Sequence, residues 1–184
     1  MDPISVFAAA CDEASAVLAN VGADQWSTQT PCTDWDVRGV ANHMTGGALM
    51  VAAAVAGTDF AHVDDYVGSD PVGAFKAAAD SAVAALRADA GVLGRTVKMP
   101  FGEMPGAAVA GIFANDEFAH AWDVARATGQ STDLNPILAE GCLAAAKSMI
   151  TADFRKPGFF DAETIAPDGA SAADRLAAFL GRAV

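Results

Sequence analysis

The chain has 184 residues, 53% of them hydrophobic and 18% charged, and 11 basic against 23 acidic side chains give a formal net charge of −12. That length and apolar content suit one packed domain over residues 1–184 with its own core, and exclude a disordered chain. The acid excess leaves no basic stripe to displace phosphate counterions, which argues against a nucleic-acid partner, and the scattered Cys11, Cys32 and Cys142 fit a reducing cytoplasm better than a disulfide framework.

Alanine-rich amphipathic segments separated by Gly, Pro and Asp breaks predict an all-α helical bundle. Ile4, Phe7, Cys11 and Leu18 outline a first helix over about residues 3–20. After a loop through Trp26 and Pro31, Thr33 reads as an N-cap, with Asp36 in the place of the usual Glu of a capping box. The second helix then runs over about 34–56 and carries Val37, Val40, Met44 and Met50. A polar link from Thr58 to Asp70 leads to a third helix over about 71–90, with Pro71 near its start and Phe75, Ala79, Val83 and Leu86 on its buried face.

The run from Thr96 to Gly106 is the one extended piece, a short β-hairpin turned at Gly102, its prolines confining the strands to an edge. A fourth helix over about 106–128 stops at Gly129, and a fifth runs from about Pro136 to Asp153. An irregular stretch from Arg155 to Ala170 precedes a short last helix bearing Leu176, Phe179 and Leu180. The N-terminus lacks a basic-then-apolar leader, and Gly46, Asp59 and Asn115 break the longest apolar stretches, so neither export nor a membrane span is expected.

The fourth helix carries the candidate chemistry. Val109, Ile112, Phe113, Asp116, His120, Val124 and Ala127 recur at the steps of one helical face, so a carboxylate and an imidazole are aimed where the helix buries surface. A buried carboxylate requires a cation, hydrogen-bond donors or a raised pKa. A metal ion would satisfy Asp116 and His120 together, and His43, which shares a face with Val40 and Gly47, offers a third ligand from a second helix. The plainer alternatives are a core histidine bonded to a carbonyl at 43 and an i,i+4 surface pair at 116 and 120.

Around this set, Asp123 stands where it could support a ligating His120, although a pair with Arg126 is the simpler expectation. Trp26, Trp35 and Trp122 are read as packing residues, with the lining of a pocket as the lesser alternative for Trp26 and Trp35, and His62 as a solvated loop histidine, with a lid contact as its lesser alternative. Gly46 and Gly47 each cost roughly 1 kcal/mol of helix stability relative to Ala, a loss that makes sense if another group approaches beside His43. Cys32, just ahead of a helix start, is a minor candidate for a dipole-activated thiol, with no partner cysteine or histidine at short spacing.

The run Thr30-Pro31-Cys32-Thr33-Asp34-Trp35-Asp36-Val37-Arg38-Gly39-Val40-Ala41-Asn42-His43 resembles the opening signature of the mycothiol-dependent maleylpyruvate isomerase family, within the wider DinB-like superfamily. Asp116 through Gly129, reading DEFAHAWDVARATG, resembles the second signature of its actinobacterial members. The Pro100-Phe101-Gly102 region and the closing Asp174–Arg182 stretch also look familial, so the likeness spans nearly the whole chain.

The resemblance implies a DinB-like four-helix bundle, here with an extra short helix and the small β-hairpin, binding a divalent metal, usually Zn²⁺, through His43, Asp116 and His120. The isomerase itself carries Glu at the place of Asp116. Its implied co-substrate is a small thiol, mycothiol or bacillithiol, meeting a small-molecule electrophile in an S-transferase or isomerase reaction. The alternative is a catalytically silent metal-binding bundle that acts as a ligand binder or sensor. A homodimer is compatible with the family, and no sequence patch specifies one.

Overall fold

The computed structural model describes residues 1–156 and 160–184; the sequence-based irregular stretch over 155–170 therefore lies partly outside the described residues. Helix α1 spans Pro3–Ala19, α2 Val37–Ala56, α3 Pro71–Ala88, α4 Gly106–Thr128, α5 Pro136–Met149 and α6 Ala172–Phe179. A two-stranded antiparallel hairpin, β1 Thr96–Met99 and β2 Gly102–Pro105, joins α3 to α4. The fold is mostly helical, as the sequence pattern requires.

Helices α1 to α4 form the bundle: α1 packs on α4 and α3, and α2 packs on α3 and α4. Phe7, Leu18, Met44, Phe75, Leu86, Phe118 and Trp122 fill the space between them. Apolar burial on this scale, rather than helix propensity, holds the rods together. Trp122 is a packing residue with one polar tie, its Nε1 donating to Asp174 Oδ1 at 2.8 Å, which docks α6 against α4.

The boundaries follow local chemistry. Asp2, Asp70 and Asn135 cap α1, α3 and α5 with side-chain oxygens, each followed by a proline in the first turn. Gly129, at φ 72°, ends α4 in the left-handed conformation anticipated from sequence. Helix α2 corrects the sequence reading: it starts at Val37, and Asp36, not Thr33, is the cap, its Oδ1 accepting from the Gly39 N–H at 2.7 Å. Residues 34–36 are held out of the helix because the Thr30 hydroxyl and the Gln29 amide both donate to the Trp35 carbonyl. Helix α5 also ends earlier than its periodicity predicts, with a 3₁₀ turn at Ala152–Phe154 beyond it.

Helix α2 is long and apolar enough to cross a membrane by length and composition alone. Here it is a core helix, with Val37, Val40, Ala41, Met44, Ala48 and Val51 all inaccessible to solvent against α3 and α4.

Candidate metal centre

The α2–α4 contact brings the three anticipated residues together. His43 Nε2 lies 3.1 Å from Asp116 Oδ2, and His120 Nε2 lies 3.6 Å from Asp116 Oδ1. Their ligand atoms all fall within 4.8 Å of one another. The two imidazoles stand edge to face, with ring centroids 4.9 Å apart. Asp116 and His120 share a face because they are one turn apart on α4, and His43 meets them because α2 crosses that face.

Burial pushes the Asp116 carboxyl up, but its hydrogen bond to His43 and the charges of His120, His43 and Arg182 outweigh that and hold it below the usual carboxylate range. At His43, burial disfavours the charged ring, while the hydrogen bond and charge of Asp116 prevail and raise its pKa.

Behind the cluster, His120 Nδ1 meets Asp123 Oδ2 at 3.0 Å. Asp123 is fully buried and receives two further hydrogen bonds from Arg182, Nε to Oδ1 at 3.1 Å and Nη2 to Oδ2 at 2.9 Å. The expected pairing of Asp123 with Arg126 is thus corrected: Asp123 faces inward to His120 and Arg182, whereas Arg126 lies exposed to solvent. Burial raises the Asp123 carboxyl, but His120 and Arg182 together keep it low and ionised. With Nδ1 held by the Asp123 carboxylate, His120 turns Nε2 toward Asp116, the nitrogen that would meet a metal.

Trp35, read from sequence as packing, stacks on His43 with centroids 4.5 Å apart and rings 25° from parallel. The hydrogen-bonded loop before α2 fixes it there. Trp26 remains a packing residue. Cys32 also departs from expectation. Helix α2 begins too far along to activate it, and burial, followed by the Asp123 charge, pushes its thiol up rather than down. Its sulfur lies within 4.8 Å of donor atoms of His120 and Asp123, a proximity that sequence spacing conceals. Since Asp123 is already bonded by His120 Nδ1 and by Arg182, His120, Asp123 and Arg182 brace the centre from behind.

In front of the cluster lies a cavity of about 520 Å³, reached by His43 and Asp116 and walled by Trp35, Phe60, Tyr66, Phe101 and Phe113. The segment after α2 forms its outer wall. Tyr66 N–H donates to Asn42 Oδ1, Asn42 Nδ2 donates to the Asp64 carbonyl, and the Arg38 guanidinium binds Asp65 and the Gly68 carbonyl. His62 is exposed as anticipated, yet it lines the cavity and its Nδ1 meets the Tyr66 hydroxyl at 3.1 Å.

The glycine pair on α2 now has a cause. A Cβ at Gly46 would come within 2.7 Å of the Tyr66 ring, and one at Gly47 within 3.1 Å of the Phe113 ring. Both aromatic walls therefore rest on bare backbone.

One residue that the sequence reading missed is Glu117. It is fully buried, and neither carboxyl oxygen has a hydrogen-bond partner among the described residues. Desolvation, followed by repulsion from Asp116, pushes its pKa well up, so the group sits neutral in the core. A signal was present: Glu117 falls in line with Ala110, Phe113, Ala121 and Val124 on α4.

A tetrahedral Zn²⁺ with ligand bonds of about 2.0–2.1 Å separates its ligand atoms by roughly 3.3 Å. The Asp116-to-imidazole distances of 3.1 and 3.6 Å bracket that spacing. Two imidazoles, one carboxylate and open space in front form a donor set for a borderline metal with room for a further ligand.

Fold and cluster together define a helical-bundle protein with an imidazole–carboxylate–imidazole centre opening onto a cavity. The chain belongs to the family described as "Mycothiol maleylpyruvate isomerase N-terminal domain", which it matches over residues 7–125, a span holding all three residues of the centre. Two uncharacterized Mycobacterium tuberculosis proteins, one from strain H37Rv and one from strain CDC 1551, are each 40% identical over 185 residues, covering 100% of this chain and 100% of each relative. No solved structure matches significantly.

Proposed function

We propose that this chain binds a divalent metal, in the first instance Zn²⁺, through His43, Asp116 and His120, and uses it in a thiol-dependent S-transferase or isomerase reaction on a small electrophile. The observation that carries the reading is Asp116, set between two Nε2 atoms at the foot of a cavity with aromatic walls. The family description, which names mycothiol, supports that thiol as co-substrate.

A bound Zn²⁺ would favour thiolate over thiol and so supply a nucleophile at neutral pH. The chain's own contributions are separable. His43 and His120 donate neutral nitrogens, and Asp116 supplies the one charge. Asp123 and Arg182 fix the tautomer and direction of His120. Trp35, stacked on His43, limits rotation of that ring and keeps water from its outer face. The aromatic walls supply apolar contact beside the reacting atoms.

Metal content of the purified protein by plasma mass spectrometry, followed by a mycothiol-consumption screen over an electrophile panel, tests the reading. Roughly one divalent ion per chain is expected, lost in His43→Ala, with metal-dependent thiol loss on at least one electrophile. Bound metal without thiol consumption anywhere on the panel would favour the silent ligand binder. A metal-free protein would overturn the centre itself.

A further inference from the structure

The polar and charged groups around the cavity discriminate among substrates. None of the described residues lining it is a lysine or arginine; its imidazole and carboxylate members are His43, His62, Asp64 and Asp116. The guanidinium groups of Arg38, Arg95 and Arg182 are engaged elsewhere: Arg38 with Asp65 and the Gly68 carbonyl, Arg95 with Asp89, and Arg182 with Asp123. Lys98, on β1, faces Glu103 across the hairpin. The outer wall from Thr58 to Asp70 contains four aspartates and no lysine or arginine.

A divalent cation on neutral His43 and His120 and ionised Asp116 leaves one net positive charge, which Asp64 at the rim offsets. A dicarboxylate would then have at least one carboxylate against Phe60, Tyr66, Phe101 or Phe113 without a cation, and against the field of a chain of net charge −12.

We infer that this cavity selects an uncharged electrophile bearing an aromatic or alkyl group, and excludes dicarboxylates such as the one in the family's description. The inference deepens the proposed function and rests on it for the word electrophile; the charge selectivity stands on the cavity alone. Aromatic walls of this kind supply apolar contact, while the Tyr66 hydroxyl and His62 offer the few polar points that orient a ligand.

The test uses an unreactive pair on one skeleton, dimethyl phthalate and phthalate, titrated calorimetrically at about pH 7.5, where phthalate is a dianion. Both Zn²⁺-loaded and metal-free protein are measured. The diester is expected to bind at least about tenfold more tightly than phthalate to both forms. Asp64→Lys changes an exposed side chain whose backbone carbonyl, not its carboxylate, holds Asn42. It should strengthen phthalate binding about threefold or more and leave the diester within about twofold.

Phthalate binding as tightly as the diester, failure of the diester to bind, or a preference indifferent to Asp64→Lys would each overturn the inference. Metal content of the same samples is read independently. A diester preference in a protein that takes up no metal would sink the proposed function and leave the selectivity standing.

Discussion

Arg182 grips both oxygens of Asp123, and Asp123 in turn holds Nδ1 of His120 at 3.0 Å, so a side chain beyond the last helix sets the direction of an imidazole in the bundle core. Arg182→Met should lower metal affinity about tenfold or more, as loss of a group behind a metal-ligating histidine does. It should also destabilise the fold, because the fully buried Asp123 would keep only one partner. Competition with a chromophoric chelator reads the first effect and urea unfolding of metal-free protein the second. Unchanged affinity would remove Arg182 from the support of the centre.

Asp116→Ala should weaken metal binding far more than it weakens the helix. Asp116 is half-buried on a helix whose Val109, Ala110, Ala114, Phe118 and Trp122 contacts persist. Far-ultraviolet circular dichroism should be nearly superimposable on the wild type. Wild-type metal stoichiometry and affinity in this variant would reject Asp116 as a ligand.

Glu117→Leu should stabilise the metal-free protein by about 1–3 kcal/mol at neutral pH, since it replaces a buried carboxyl without partners by an apolar group of similar length. The pH dependence has a definite sign. The folded-state pKa of Glu117 lies above the unfolded value, so the folded state retains a proton that the unfolded chain releases. Stability from this group is therefore full below the ordinary glutamate pKa and declines as pH rises above it toward the raised folded value. The difference in unfolding free energy between Glu117→Leu and wild type should widen from pH 4 to pH 7. A difference independent of pH would show that Glu117 has found a partner.

Gly46→Ala should cost about 1–3 kcal/mol, because a methyl group there meets the Tyr66 ring. With Tyr66→Ala already in place, the same change should instead stabilise by up to about 1 kcal/mol, the ordinary helix preference of Ala over Gly. Thermal unfolding of the four proteins in this cycle measures the reversal. Additive effects would separate the ring from the glycine.

Periodicity was the strongest guide to this chain. Helix α4 runs over Gly106–Thr128 because its apolar stripe is unbroken and Gly129 ends it, and the same stripe carried Asp116 and His120 to the centre. His43 was legible for the same reason. Where hydrogen bonds bridge irregular chain, pattern failed: the start of α2 shifted because Gln29 and Thr30 hold the Trp35 carbonyl, which also moved Trp35 from core to site. The partner of Asp123 lies 59 residues away, and no spacing rule connects them. Glu117 lies on an apolar line of α4 beside the one that holds Asp116, and periodicity alone does not separate a buried neutral carboxyl from a charged one at the edge of the core.

The two adjacent glycines of α2 have an effect on how this pocket can change. With no side chain at 46 or 47, the bundle contributes little more than a smooth floor there, and the outer wall comes from surface segments, the 58–70 link and the hairpin tip at Phe101. The outer wall and the chemical centre are thereby carried largely by different parts of the polypeptide. Substitutions in that outer wall would therefore reshape the pocket while the helices that carry the imidazoles stay as they are.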